Sequence, residues 1–265
     1  MKSVARKTNS GFTLSFTDEP NKYGISLLIV LITFNRLAYT KKTLRYLWDT
    51  IQVPHYLIIV DNDSTDGTKE YLKTLEGRNK VDLVIYNDEN LYPGAATNIG
   101  WGTGIKLYPE ATHLMRLDND MELKSGWDIN AESYFKAIPE LGQLGLDHEA
   151  IETPKAILRE MYINGKCLNP WPGCVGGPNI IKREIFDAGL RYEPYKWNDG
   201  RKSALQEDSI FSRLIQYHGY LSGHMTEDLA RTFANKDNWC DYKDYYIKTM
   251  GDRGYVAQVE SINEK

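Results

Sequence analysis

Residues 25–33, Ile-Ser-Leu-Leu-Ile-Val-Leu-Ile-Thr, form a nearly unbroken aliphatic run. A strand buried on both faces reads this way, because neither face needs polar side chains. Over 37–48 the apolar positions Leu37, Leu44, Leu47 and Trp48 fall at helical spacing. Residues 56–60 repeat the strand pattern and end in Asp61; Asp66 and Gly67 punctuate a turn, and 68–75 predicts a short helix. A strand over 81–86, a helix over 94–107 and a strand over 112–117, ending in Asp118, continue the alternation. Strand and helix in this rhythm predict an α/β fold with a Rossmann-like, doubly wound parallel sheet and right-handed crossovers.

Past Asp120 the rhythm fades. The pattern predicts helices over 125–138, 182–188 and 205–217 and a strand over 175–181, whereas 142–172 shows no readable period. Residues 1–24 are polar and read as a flexible arm; 25–127 and 128–235 read as two halves of one domain, and 236–265 as a C-terminal helix and tail.

A chain of 265 residues is long enough for a substantial core. Lysine and arginine number 32 against 36 acidic residues, so the net charge is −4 and there is no basic footprint for nucleic acid. Three cysteines, Cys167, Cys174 and Cys240, contain no CxxC pair and cannot all be bridged within the chain, which points to a reducing, cytoplasmic setting. The apolar stretch 27–32 is far short of the ~20 residues that span a bilayer, so no stable membrane insertion is expected. Polar residues follow Lys2, Arg6 and Lys7 where a signal peptide would be apolar.

Ligand sites of parallel sheets lie at the carboxyl ends of the strands. Three such ends are polar here: Thr33-Phe34-Asn35-Arg36, Asp61-Asn62-Asp63-Ser64 and Asp118-Asn119-Asp120. Two carboxylates one residue apart, just after a buried strand, can face one divalent cation. Oxygen-only ligands favour Mg²⁺ or Mn²⁺. Standing alone, such a motif reads more readily as a solvated turn or a helix cap. Turn-making and capping are the expectation for Asp66. Gly100-Trp101-Gly102-Thr103-Gly104 does not follow the first strand, so it is not a dinucleotide-binding loop.

Four segments, in order, resemble family 2 glycosyltransferases, the large group with the GT-A fold. They are residues 29–36, residues 58–68, residues 90–100 (from Asn90 to Gly100) and Arg116-Leu117-Asp118-Asn119-Asp120, similar to that family's DxD metal motif. The resemblance covers 25–127 and weakens afterwards. It implies a GT-A-type sheet with a nucleotide-sugar-binding half at 25–127 and a smaller acceptor-binding and catalytic region at 128–235. It places Thr33, Phe34, Asn35, Arg36, Asp61, Asn62, Asp63, Asn98, Asp118 and Asn119 around the donor, and Asp118 and Asp120 on the metal, with His224 as a further ligand. Asn62 stands where some UDP-sugar enzymes carry an acid, so UDP is favoured while dTDP and GDP stay open.

The pair Glu207-Asp208 resembles the family's catalytic acids, with Asp208 as the base, beside the plain reading of acids stabilising a helix N-terminus. Trp171, Gly176 and Gly177 resemble its acceptor segment, beside the reading of a turn with a core tryptophan. The resemblance thus implies a metal-dependent inverting glycosyltransferase. The acceptor is open among a glycan, a protein and hydroxymethylated bases of DNA. A nucleotidyltransferase would need a glycine- and base-rich loop after the first strand, which is missing. A non-catalytic nucleotide-sugar binder is the contrasting class, and it would tolerate loss of Asp118, Asp120 and Asp208.

Overall fold

The computed structural model describes residues 24–152, 159–170, 175–193, 207–233 and 241–252, and two short strands before them. Those two, β1 (Val4–Lys7) and β2 (Thr13–Phe16), pair antiparallel within the segment expected to be an arm. The alternation predicted for the first half is present as β3 (Leu27–Thr33), α1 (Leu37–Thr50), β4 (His55–Asp61), α2 (Thr68–Glu76), β5 (Leu83–Tyr86), α3 (Tyr92–Leu107) and β6 (His113–Asp118). There follow β7 (Met121–Leu123), α4 (Trp127–Ala137), β8 (Leu141–Gly145), a 3-10 turn (His148–Ile151), β9 (Met161–Ile163) and β10 (Lys166–Asn169). The described chain ends with β11 (Asn179–Lys182), α5 (Arg183–Asp187), α6 (Glu207–Tyr217), β12 (Leu221–Met225), β13 (Ala230–Thr232) and α7 (Lys243–Asp252).

Nine strands form one sheet in the order β5-β4-β3-β6-β11-β8-β12-β10-β9. The first four are mutually parallel, and β8 and β12 run together beyond them. Strands β11 and β10 pair antiparallel with their neighbours, so the sheet is mostly parallel, as the fold class expected, with two reversed strands. A separate β7–β13 ladder lies outside it.

All seven residues of β3 are buried, as its unbroken aliphatic pattern demands. Alternate positions feed opposite faces. Leu27, Ile29 and Leu31 pack with Leu44 and Leu47 of α1, Leu72 of α2 and Trp127 of α4. Leu28, Val30 and Ile32 pack with Ala96 and Trp101 of α3 and Phe211 and Ile215 of α6. Helix α3 lies close on the sheet because Gly100 and Gly104 carry no side chain there. A Cβ at Gly100 would sit 2.5 Å from Val30 Cγ1, and one at Gly104 2.5 Å from Leu28 Cδ2. Gly100 and Gly104 of the Gly-x-Gly-x-Gly pattern are therefore packing devices.

Candidate active site

The strand registers bring three polar ends together. Thr33 pairs with Asp61, and Ile32 pairs with Asp118, so β3, β4 and β6 finish side by side. Asn35 and Arg36 both have left-handed backbones, φ 55° and 61°, which turns the chain sharply into α1. Asn35 locks this turn to the next one: its N–H donates to Ser64 Oγ at 2.8 Å and its Oδ1 accepts from Thr65 N–H at 2.8 Å. Asn62 N–H donates to the Thr33 carbonyl at 2.8 Å, and Asn62 Oδ1 accepts from Asn87 Nδ2 at 2.8 Å.

Asp61 is fully buried. Its Oδ2 accepts from Ser64 N–H at 3.0 Å, whereas Oδ1 has no donor among the described residues. Burial raises its carboxyl above the usual range. A buried carboxylate oxygen without a donor is costly, so this atom is suited to an N–H or O–H brought by a ligand. Asp63 pairs instead with Lys69 at 2.6 Å. Asp66 accepts from Leu37 N–H at 2.8 Å and from Thr68 N–H at 3.2 Å, tying the starts of α1 and α2 together as a cap should.

The Asp118-Asn119-Asp120 turn is braced by two arginines. Asn119 is buried; its Nδ2 reaches Thr33 Oγ1, Thr40 Oγ1 and the Asn35 carbonyl within 3.2 Å, and its Oδ1 accepts from Arg36 Nη2 at 2.5 Å. Its amide thus holds the first loop and the start of α1 in place. Arg36 Nη1 pairs with Asp120 at 2.8 Å and donates to Tyr246 Oη at 3.1 Å, and its guanidinium lies 4.6 Å from the Tyr245 ring. Phe34 also packs against Tyr245, with ring centroids 6.2 Å apart, so α7 covers this corner.

Arg116, in the middle of β6, is the second brace. Its Nε meets Asp118 Oδ1 at 3.0 Å, and its Nη1 meets Asp208 Oδ1 at 2.6 Å and Glu207 Oε1 at 3.6 Å. These acids hold the guanidinium firmly charged despite full burial. Glu207 Oε2 accepts from Gly94 N–H at 3.1 Å. Burial pushes the Glu207 carboxyl up to about 7, against the opposing pull of Arg116. Gly177 lets the second-half segment lie over these acids, since a Cβ there would collide with the Asp118 carboxylate; Gly176 lies beside Asp208, with room for a Cβ 3.7 Å from Oδ2.

The Asp118 and Asp120 side chains stay 28% and 17% exposed, so both can still give lone pairs to a ligand. Among the described residues no group of three or more His, Cys, Asp and Glu is gathered as a metal cage. Two carboxylates nonetheless fit a hard cation that completes its shell with substrate phosphate oxygens and water. His224 is not brought to them. It stands opposite Gly145 on β12, three strands from β6 in the sheet order.

Residues 28–190 match glycosyl transferase family 2. The chain belongs to that family. No curated protein matches the chain. Among solved structures, TarS 1–349 of S. aureus in complex with UDP-GlcNAc is 16% identical with a TM-score of 0.60, covering 78% of this chain and 57% of that one. The mannosyltransferase PcManGT of Pyrobaculum calidifontis, in complex with GDP-Man and Mn²⁺, is 16% identical with a TM-score of 0.59, covering 91% and 68%. GalNAc-T7 with UDP, GalNAc and Mn²⁺ is 13% identical with a TM-score of 0.57, covering 92% and 55%. At these identities the likeness is one of fold, the GT-A glycosyltransferase fold. The family 2 chain spans little more than half the length of the TarS and GalNAc-T7 chains it matches.

Of the sequence candidates, Thr33, Asn35, Asp61, Asn62, Asp118, Asp120, Glu207 and Asp208 lie on the three braced strand ends or on their partner helix. Asn98 differs: both sides of its amide hold the Tyr192 backbone, at 2.7 and 3.2 Å, which ties α3 to the segment after α5. Trp171 lies outside the described residues. Arg116 was not singled out from the sequence as a site residue, although a lone charge inside an apolar strand was a readable signal.

Proposed function

We propose that this family 2 chain is an inverting glycosyltransferase that moves a sugar from a nucleotide-sugar donor, a UDP-sugar by preference, to an acceptor hydroxyl. The observation that carries the reading is the convergence of Asp61, Asp118 and Asp120 at the strand ends with Asp208, joined to Asp118 through Arg116. Asp61 Oδ1 receives an N–H or O–H of the nucleoside, and Asn62, tethered by Asn87, reads the base beside it. Asp118 and Asp120 would hold Mn²⁺ or Mg²⁺, which would neutralise charge on the departing diphosphate.

In the transfer, Asp208 takes the proton of the acceptor hydroxyl while its oxygen bonds to the anomeric carbon. The bond from that carbon to the diphosphate breaks, and its electron pair leaves with the nucleotide. Attack opposite the leaving group inverts the anomeric centre. Gly176 and Gly177 line the acceptor's approach.

A glycan hydroxyl is the acceptor this reading favours, since a net charge of −4 offers DNA no general electrostatic hold. No described helix is long and apolar enough to cross a membrane. Cys167 forms no disulfide among the described residues, and the setting proposed for the chain is the reducing cytoplasm. The test is an acceptor array probed with labelled UDP-, dTDP- and GDP-sugars in the presence of Mn²⁺. Label on glycans from a UDP-sugar is expected. No labelled product from any donor would overturn the proposal.

A further inference from the structure

The position of Arg116 breaks the sheet's own pattern. In register with it are Val30 of β3 and, one strand further, Ile58 of β4, both buried and aliphatic. Two residues earlier on the same face β6 carries Leu114, and β11 opposes it with Ile181. An aliphatic side chain would serve packing at position 116, and a buried guanidinium is expensive unless every edge is paired. The Arg116 edges are paired with residues from both halves of the site. Nε and Nη2 meet Asp118 at 3.0 and 3.4 Å, while Nη1 meets Asp208 at 2.6 Å and Glu207 at 3.6 Å. The Tyr192 ring lies 5.4 Å from the guanidinium, and Tyr192 Oη accepts from Asn179, the residue opposite Arg116 on β11.

A guanidinium is a rigid planar fork, so one edge cannot shift without the other. We propose that Arg116 is a positioning residue that couples the two halves of the active site: it sets the orientation of the Asp208 carboxylate according to the state of Asp118 on the donor side. The inference rests on the reading that Asp208 is the base and Asp118 faces the donor. Donor engagement at Asp118 thereby aligns Asp208 for the acceptor hydroxyl, and transfer to the acceptor outruns loss of the sugar to water.

Arg116→Lys keeps the charge but has no fork to hold both carboxylates. Donor affinity by calorimetry is expected to stay within about threefold of wild type. Transfer is expected to fall about a hundredfold, as for a mispositioned base. Hydrolysis of the donor by water should fall much less, so the ratio of transfer to hydrolysis drops at least about tenfold. In the double variant with Asp208→Asn, transfer should be no slower than in Asp208→Asn alone, because Arg116 acts through Asp208. Multiplying losses in the double variant, or an unchanged ratio, would overturn the coupling. Asp208→Asn transferring at the wild-type rate would instead remove the reading beneath it. Thermal melting checks the fold. Arg116→Gln replaces the lysine variant if that one does not fold, with the same expectations, and failure of both to fold would assign Arg116 a structural role only.

Discussion

Glu207 and Asp208 are neighbours in sequence with different surroundings. Asp208 is partly exposed beside Gly176 and held by Arg116, whereas Glu207 is buried against the Gly94 N–H. Asp208→Asn keeps the shape but cannot accept a proton. Transfer is expected to fall by ~10²–10⁴ while donor binding persists, as single-turnover kinetics beside calorimetry would record. For Glu207 the consequence is a pH effect on stability. Its carboxyl is raised from 4.5 to about 7 by burial, so the folded state holds that proton more tightly than the unfolded chain. The contribution is complete below the ordinary value and is lost as pH rises through about 7. Glu207→Gln should flatten this decline, by roughly 3 kcal/mol at most between pH 5 and 8, in denaturant unfolding at the two pH values. A variant as pH-sensitive as wild type would show that another group carries the effect. The acids of the candidate site were legible because spacing and strand ends mark them. The arginines that brace them are less so: the sequence offers Arg36 as a donor contact and Arg116 only as part of a strand and of the segment that ends in Asp120. Arg36 meets Asp120 from 84 residues away and Arg116 meets Asp208 from 92 away, beyond any local pattern; only the Arg116–Asp118 pair is local.

At the scale of elements, the first half was readable because β3, β4 and β6 are largely buried and α1 and α2 are amphipathic. The second half was not. Strands β9 and β10 have three and four residues, too few to display a period. Strand β8 carries Gly142, Gln143 and Gly145 where aliphatics would be expected. The glycines make room for Tyr220 and His224, and Gln143 is satisfied by the Ser222 hydroxyl at 2.6 Å. Helix α3 offers a sharp test of the packing account. Gly100→Ala would press a methyl into Val30 and should destabilise the fold by about 1–3 kcal/mol. Gly102→Ala, whose Cβ would meet only Phe186 at 3.8 Å, should instead stabilise it by about 0.5–1 kcal/mol through helix propensity. Equal effects from the two in thermal unfolding would contradict the placement of α3 on β3 and β4.

At the scale of the molecule, one sheet edge gathers residues that are up to 175 positions apart, from Thr33 to Asp208. Strands β4 and β6 supply Asp61 and Asp118, the acids proposed to face the donor, and α6 adds Asp208 across Arg116. The GT-A fold was legible from the strand–helix rhythm together with four short segments. The part of the sheet from β11 to β9, where parallel and antiparallel pairings mix, became visible only through long-range pairing. Central to the account is nucleotide-sugar turnover at the Asp118–Asp120 edge. The most direct measurement is release of nucleoside diphosphate from UDP-sugars, with Mn²⁺ and with excess chelator, for wild type and Asp120→Asn. The account predicts release by wild type with Mn²⁺, and loss of most of it both in chelator and in the variant. Full turnover in chelator, or an Asp120→Asn variant as active as wild type, would contradict it.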